Sequence, residues 1–179
     1  MKPFKFHYPV LFTFLMFFSL FTFAQEFKGL DKSPMDAASF PSDYKISEKL
    51  VKVIYSRPQL NGRALNTLAE NGKVWRTGAN ESVEITFYKD AVFGDTKIKA
   101  GTYSLFTIPG ENEWVVILNS DLNTWGSYFY NEKNDKAKVT VPVTKSNESL
   151  EAFSVAFDRE GTMHMGWDNV RIAVPIKAN

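Results

Sequence analysis

Short runs of alternating apolar and polar residues, separated by turn residues, recur along the chain from residue 46 onward. Val51, Val53 and Tyr55 alternate with mostly polar neighbours, and residues 83–87 repeat the pattern. A period of two places one face of a strand in a core and the other face in solvent. Several such runs, with turn signals about every ten residues, are typical of antiparallel sandwiches and barrels. The sequence therefore predicts an all-β antiparallel sandwich, jelly-roll-like or barrel-like in form.

The second half of the chain supplies most of the strand candidates. Pro109-Gly110 is a turn pair, and it separates two apolar runs. Asp168-Asn169 separates the last two candidates and predicts a hairpin there. The candidate strands are residues 102–108, 114–118, 125–130, 138–143, 152–157, 163–167 and 170–176.

One segment has helical rather than strand spacing. Leu65, Leu68 and Ala69 fall on one side of a helix drawn over residues 64–70, and Gly72 is placed to end it. The prediction is one short helix of about two turns.

The N-terminus predicts a secretory signal peptide over residues 1–24. Lys2 and Lys5 precede an apolar run at residues 9–23, which is followed by Ala24. A transmembrane anchor is the alternative, but spanning a bilayer takes about twenty apolar residues and this run is shorter. We expect cleavage after Ala24, export to the periplasm or extracellular space, and no membrane span afterwards. Residues 25–43 then form a polar leader, and residues 44–179 a single β-sandwich domain.

Composition excludes several kinds of chemistry. The chain has no cysteine, which rules out thiol nucleophiles, thiolate zinc sites and iron–sulfur clusters. His164 is the one histidine after residue 24, so a single protomer cannot build a multi-histidine metal site. No metal and no cofactor is expected. After residue 24 there are 19 basic and 20 acidic residues, so nothing in the net charge attracts nucleic acid.

Arginine is the most unevenly distributed residue. Arg57, Arg63 and Arg76 lie within twenty residues and flank the predicted helix. Guanidinium groups present planar, charged forks that suit carboxylates, phosphates and sugar hydroxyls. If the connection folds back on itself, the three meet at one end of the sandwich, where loops usually carry binding function. The alternative is structural, with each arginine paired to an acid such as Glu70, Glu81 or Glu84.

A stretch rich in hydrogen-bonding groups, Trp75-Arg76-Thr77-Gly78-Ala79-Asn80-Glu81, follows the helix. Trp125 lies in a second mixture of aromatic and polar residues, and both tryptophans are candidates for stacking on a sugar or for the core. Trp114 and Trp167 are assigned to the core. The sequence predicts a binding module for a small polar or anionic ligand such as a saccharide. Its candidate residues are Arg57, Arg63, Trp75, Arg76, Thr77, Asn80, Glu81 and Trp125.

No catalytic residue is assigned. A Ser-His-Asp arrangement would have to use His164, which points away from Met163 and Met165 and so reaches the surface if they face the core. A glycan hydrolase using carboxylates such as Glu81 is the alternative function. The third hypothesis is that the protein is a purely structural module of the cell envelope.

Several short segments of the sequence together resemble one family, the bacterial domain of unknown function numbered 2911. The resemblance covers residues 33–176, and it implies a compact exported β domain of the kind common in secreted proteins of Bacteroidota. It implies no catalytic residue, because the family has no established activity. The segments that carry it are Tyr55-Ser56-Arg57-Pro58, Gly62-Arg63, residues 72–81, residues 101–110, Trp125-Gly126 and residues 167–176.

Overall fold

Antiparallel strands make up most of residues 26–179, which are the residues that the computed structural model describes. The predicted signal peptide lies outside them. In chain order the strands are β1 (Met35–Phe40), β2 (Val51–Ser56), β3 (Val83–Phe87), β4 (Ala91–Phe93), β5 (Thr96–Ile98), β6 (Gly101–Ile108), β7 (Glu113–Asn119), β8 (Asp135–Pro142), β9 (Thr144–Phe157) and β10 (Thr162–Ala178). A single helical turn, α1 (Leu65–Leu68), joins β2 to β3, and a 3-10 turn (Glu132–Asn134) precedes β8.

The strands form two sheets, as the alternating pattern predicts. The larger sheet has the order β1-β2-β3-β6-β7-β8 and the smaller has the order β5-β4-β10-β9. Their facing sides bury the alternating apolar residues, for example Val83, Ile85 and Phe87 on β3. An all-β sandwich is therefore confirmed. Within the described residues, no helix is long and apolar enough to cross a bilayer.

An aromatic cluster fills one end of the core. Trp75, Trp114, Phe153 and Trp167 are buried together, so the core assignment of Trp114 and Trp167 holds. Ring centroids of Trp75 lie 6.1 Å from Trp114, 5.3 Å from Phe153 and 5.4 Å from Trp167. Trp75 and Trp167 of this cluster also line a cavity with Arg63 and Arg76, two of the binding candidates.

The expected hairpin at Asp168-Asn169 is wrong. Residues 162–178 form one strand, β10, which pairs with β9 on both sides of Asp168. The register shifts at Asp168, whose φ is 49°, so the chain makes a bulge there and continues. Aspartate tolerates the left-handed conformation in bulges as well as in turns, so the local signal is the same for both.

Three other local predictions differ from the structure. Residues 125–130 form a turn rather than a strand, because Asn123 and Gly126 have φ values of 57° and 67° that an extended strand cannot contain. The polar leader also contributes a strand that the sequence does not predict, since β1 forms the edge of the larger sheet beside β2. The predicted helix is present but shorter than expected, as the single turn α1.

Candidate functional site

A long connection between two neighbouring strands carries most of the binding candidates. β2 and β3 are hydrogen-bonded to each other, yet residues 57–82 separate them along the chain. Loops longer than about 12–15 residues without secondary structure are uncommon in compact domains, and this connection is long although it contains the single turn α1. This connection contains Arg57, Arg63, Trp75, Arg76, Thr77, Asn80 and Glu81.

Trp75 and Thr77 tie the connection to the sandwich. The backbone of Trp75 pairs with Thr107 of β6 through N–O distances of 2.7 and 2.9 Å. The hydroxyl of Thr77 donates to the Oγ1 of Thr107 at 3.2 Å, and Thr77 is fully buried. Trp75 is 7% exposed and stacks on Trp167. Both residues therefore pack in the interior of the protein. Trp75 lies at the margin of one cavity.

Thr77 and Asn80 both adopt the left-handed backbone conformation, and this turns the chain between them. Their φ values are 60° and 61°, in the left-handed region that a β-branched residue such as threonine rarely adopts. Holding one residue there costs about 1–3 kcal/mol, which the surrounding structure must offset. At Gly78, a Cβ would lie 3.1 Å from the carbonyl oxygen of Ser56, so the turn packs against the end of β2. Strained backbone of this kind clusters at functional sites.

Arg57 is committed to structural contacts. Its Nη1 lies 3.1 Å from Oδ2 of Asp36 on β1, and its Nε and Nη2 donate to the carbonyl of Phe153 and to Ser154 Oγ on β9 at 3.1 and 2.8 Å. It therefore joins the end of β2 to an edge strand of each sheet. This arginine follows the structural alternative and does not meet the other two.

Arg63 is oriented by its own loop. Its Nε and Nη2 donate to the backbone carbonyls of Leu60 and Gln59 at 2.9 and 2.8 Å. Neither acceptor is charged, so the positive charge is not neutralised by these contacts. Arg63 lines a cavity that it shares with Arg76.

Arg76 has a buried nitrogen without a partner. Its Nε is inaccessible to solvent and has no hydrogen-bond partner within residues 26–179, and the ion pairs of the same part of the chain do not include it. Its Nη1 lies beside Gly126, where a Cβ would come within 3.6 Å of it. An unsatisfied buried donor costs about 1–3 kcal/mol, and more when charged. The Nε is closed to a ligand as well as to solvent, so a ligand in the cavity that Arg76 lines would contact the outer, Nη end of this guanidinium.

The cavity shared by Arg63 and Arg76 is positively charged. We name it the arginine pocket; its volume is about 320 Å³, within the range of small-molecule sites. Three of its lining side chains are cationic (Lys32, Arg63 and Arg76), and none of the described residues that line it is acidic. Asn80 and the margins of Trp75 and Trp167 complete it. Sequence reasoning missed Lys32, because residue 32 is brought here only by the packing of the leader.

Glu81 and Trp125 lie outside the arginine pocket. Their backbones form an isolated bridge, and Trp125 is 57% exposed. Glu81 lines a separate recess of about 250 Å³ with Glu84, and no ion pair within residues 26–179 involves either carboxylate. Of the predicted site residues, Arg63, Arg76 and Asn80 therefore share the arginine pocket, while Glu81 lines the separate recess.

The loop that carries Trp125 is held firmly at both ends. The backbone nitrogen of Gly126 donates to Asn80 at 2.9 Å, and the side chain of Asn119 donates to Asn131 and Asp135 at 2.9 and 2.7 Å. Burial raises the pKa of the Tyr130 hydroxyl, as does its hydrogen bond to Asp135 at 2.7 Å. Trp125, Tyr128 and Phe129 nevertheless remain exposed.

His164 lies at the surface, as expected from its methionine neighbours. Met163 and Met165 are buried, and the His164 Nε2 lies 2.9 Å from Oδ2 of Asp158. This hydrogen bond is the main cause that lowers the pKa of Asp158 to about 2. Within the described residues, no group of three or more histidine, aspartate or glutamate side chains is arranged to hold a metal ion.

Comparison with known proteins finds one family. Residues 33–176 match the model of a protein family of unknown function, DUF2911, which confirms the resemblance seen in the sequence. No curated protein and no solved structure matches the chain.

Proposed function

Because the chain belongs to DUF2911, a family of unknown function, its activity has to be inferred from its own geometry, and we propose that it binds a small anionic ligand, such as an acidic saccharide, in the arginine pocket. The single observation that carries this proposal is the cationic lining of the pocket, since no ion pair within residues 26–179 involves Lys32, Arg63 or Arg76. The guanidinium of Arg76 offers a planar fork to a carboxylate, sulfate or phosphate, and such charge-assisted hydrogen bonds are about twice as strong as neutral ones.

The charge of the pocket supports an anion rather than a neutral molecule. Lys32, Arg63 and Arg76 stand together without an acidic neighbour among the described lining residues, in a chain whose formal net charge is only +1. The lining of the pocket is therefore more basic than the chain as a whole. Asn80 adds an amide, held by the left-handed turn, that suits the hydroxyl groups of a sugar.

The binding is proposed to be non-catalytic. The one histidine after residue 24 pairs with Asp158 on the β9–β10 turn, and Glu81 lines a different recess from Arg76. The predicted signal peptide supports a location in the periplasm or extracellular space, where acidic sugars, phosphates and small organic acids are available.

Thermal-shift measurements with matched charged and neutral probes test the proposal. We expect glucuronate, galacturonate, citrate, sulfate or phosphate to raise the melting temperature, while any shift with glucose or galactose should be the same in Arg76→Gln as in the wild type. At ten times its Kd, a ligand stabilises the folded state by about 1.4 kcal/mol. In a domain of this size that corresponds to about 3–6 °C.

Arg76→Gln should remove this shift, whereas Arg159→Ala, on the exposed β9–β10 turn, should keep it. The proposal fails if none of the anions raises the melting temperature, or if Arg76→Gln and the wild type respond equally.

A further inference from the structure

A second cavity lies on the other side of α1 from the arginine pocket. Its volume is about 650 Å³, twice that of the arginine pocket, and we name it the amide cleft. Leu65 and Asn66 of α1 line one wall, and Lys145 of β9 with Asp168 and Asn169 of β10 line another. We propose that the amide cleft binds a neutral saccharide, at a site separate from the arginine pocket.

The bulge in β10 positions the polar residues of the cleft. Arg171 holds the bulge by donating to the carbonyl oxygens of Asp168, Val170 and Glu148 at 2.8, 2.8 and 2.7 Å. Gly166 leaves room for that side chain, since a Cβ there would lie 3.0 Å from Cδ of Arg171. Bulges commonly redirect a side chain next to a binding site. Here the bulge brings Asp168 and Asn169 to the cleft.

Two polar side chains of the cleft are oriented by one hydrogen bond each and keep their other groups available. The Asn66 Oδ1 accepts from the backbone nitrogen of Asn71 at 2.8 Å, which leaves its NH2 group to donate. The Asp168 Oδ1 accepts from Ser149 Oγ at 2.9 Å, which leaves Oδ2 to accept. A donor and an acceptor held in place suit a sugar hydroxyl, because each hydroxyl both donates and accepts. Orientation before binding lowers the entropy cost of the complex.

The lining of the cleft carries charges of both signs. Glu111 and Asp168 are acidic and Lys145 is basic, so the lining has no strong excess of either sign. The charged residues that line the arginine pocket, by contrast, are all cationic. A neutral ligand with many hydroxyl groups matches the mixed lining of carboxylate, ammonium and amide groups.

Apolar residues form the rest of the lining. Leu65, Trp114 and Val170 contribute to it, and the indole Nε1 of Trp114 already donates to the carbonyl of Gly110 at 3.2 Å. Trp114 and Val170 are only 3% and 8% exposed, so the half-buried Leu65 offers most of the apolar surface that a ligand can contact. The C–H face of a pyranose ring packs on such a surface, while its hydroxyls reach the polar rim.

Titrations followed by NMR test the inference with four probes: maltotriose, cellotriose, xylotriose and tri-N-acetylchitotriose. We expect at least one to bind with a Kd of about 1 mM or below and to shift the side-chain amide resonances of Asn66 and Asn169 and the indole resonance of Trp114. Asn169→Ala and Lys145→Ala should each weaken that binding by about threefold to tenfold. Asn147→Ala, an exposed asparagine on β9 outside the cleft, is the matched control and should leave the Kd unchanged.

The outcomes separate this site from the arginine pocket. Unchanged resonances with all four probes at about 10 mM overturn the inference. Binding that survives both cleft variants places the saccharide elsewhere, for example on Trp125, and overturns it as well. Loss of binding in Arg76→Gln would assign the saccharide to the arginine pocket, whereas equal affinity of Arg76→Gln and wild type supports two sites.

Discussion

The indole of Trp75 stacks on that of Trp167, with ring centroids 5.4 Å apart and an angle of 18° between the rings. Trp75 belongs to the β2–β3 connection and Trp167 to β10 of the smaller sheet. The contact therefore joins the connection to the sheet opposite the one from which it departs. The sequence makes Trp75 a candidate for stacking on a ligand, whereas in the structure its ring stacks on Trp167.

Replacing Trp75 with alanine should destabilise the fold. Removing a buried tryptophan leaves a cavity and costs about 3–5 kcal/mol, so the urea midpoint should fall well below that of the wild type. Trp125→Ala is the control, because Trp125 is mostly exposed and its loss should change the free energy of unfolding by less than about 0.5 kcal/mol. Equal effects of the two changes would contradict the assignment of Trp75 to the core.

Arg57→Ala and Arg76→Ala should have different consequences for stability. Arg57 loses hydrogen bonds to Asp36, Phe153 and Ser154, and because the side chain is partly exposed we expect a cost of about 1–2 kcal/mol. Arg76→Ala removes a buried donor that has no partner within residues 26–179, so the unfolding free energy should stay the same or rise. Urea denaturation without added anion measures both. A larger loss in Arg76→Ala than in Arg57→Ala would make Arg76 a structural residue.

The ion pair of Asp158 and His164 should make stability depend on acid pH. The pKa of Asp158 is lowered from 3.8 to about 2, chiefly by the hydrogen bond of His164. A carboxylate whose pKa is lower in the folded state stabilises that state above its unfolded pKa. This contribution is lost as the pH falls through the folded value.

Between pH 3.8 and pH 2, the urea midpoint of the wild type should therefore fall more steeply than that of Asp158→Asn. Glu160→Gln, on the same turn, should retain the slope of the wild type. Parallel curves for Asp158→Asn and the wild type would show that the pair contributes nothing.

Glu81→Gln should leave anion binding in the arginine pocket unchanged. Glu81 lines the acidic recess with Glu84 and not the arginine pocket, although it is only five residues from Arg76 in sequence. Calorimetric titration of the anion found in the thermal-shift measurements should give the same Kd for this variant as for the wild type, within about twofold. A marked change would mean that the acidic and cationic residues act on one ligand.

Strand positions could be predicted where a strand has one buried and one solvated face. Residues 83–87 are such a case, because the pleat alone imposes the alternation. β1 has no clear signal in the sequence, because an edge strand whose side chains are mostly half-buried shows little alternation of apolar and polar residues. The aromatic side chains of residues 125–130 predict a strand, because aromatic residues favour strands. The positive φ of Gly126 instead makes a turn.

The site could be predicted only as a region. The residues beside Arg57 do not reveal its partners, because Asp36 and Phe153 lie 21 and 96 residues away. Which arginine is neutralised is decided by strand order, and no local pattern encodes it. For the same reason, Lys32 in the arginine pocket had no signal in the sequence.

Between Trp75 and Asn80, neighbouring residues have different roles. Some hold the fold together, and others line the proposed ligand site. Trp75 and Thr77 anchor the connection to β6, while Arg76 and Asn80 line the arginine pocket. Natural selection for stability and natural selection for ligand choice therefore act on different positions of one short segment. We expect a protein of this family that has evolved toward a different ligand to change residues 76 and 80 first, while it keeps the tryptophan and the threonine that hold them in place.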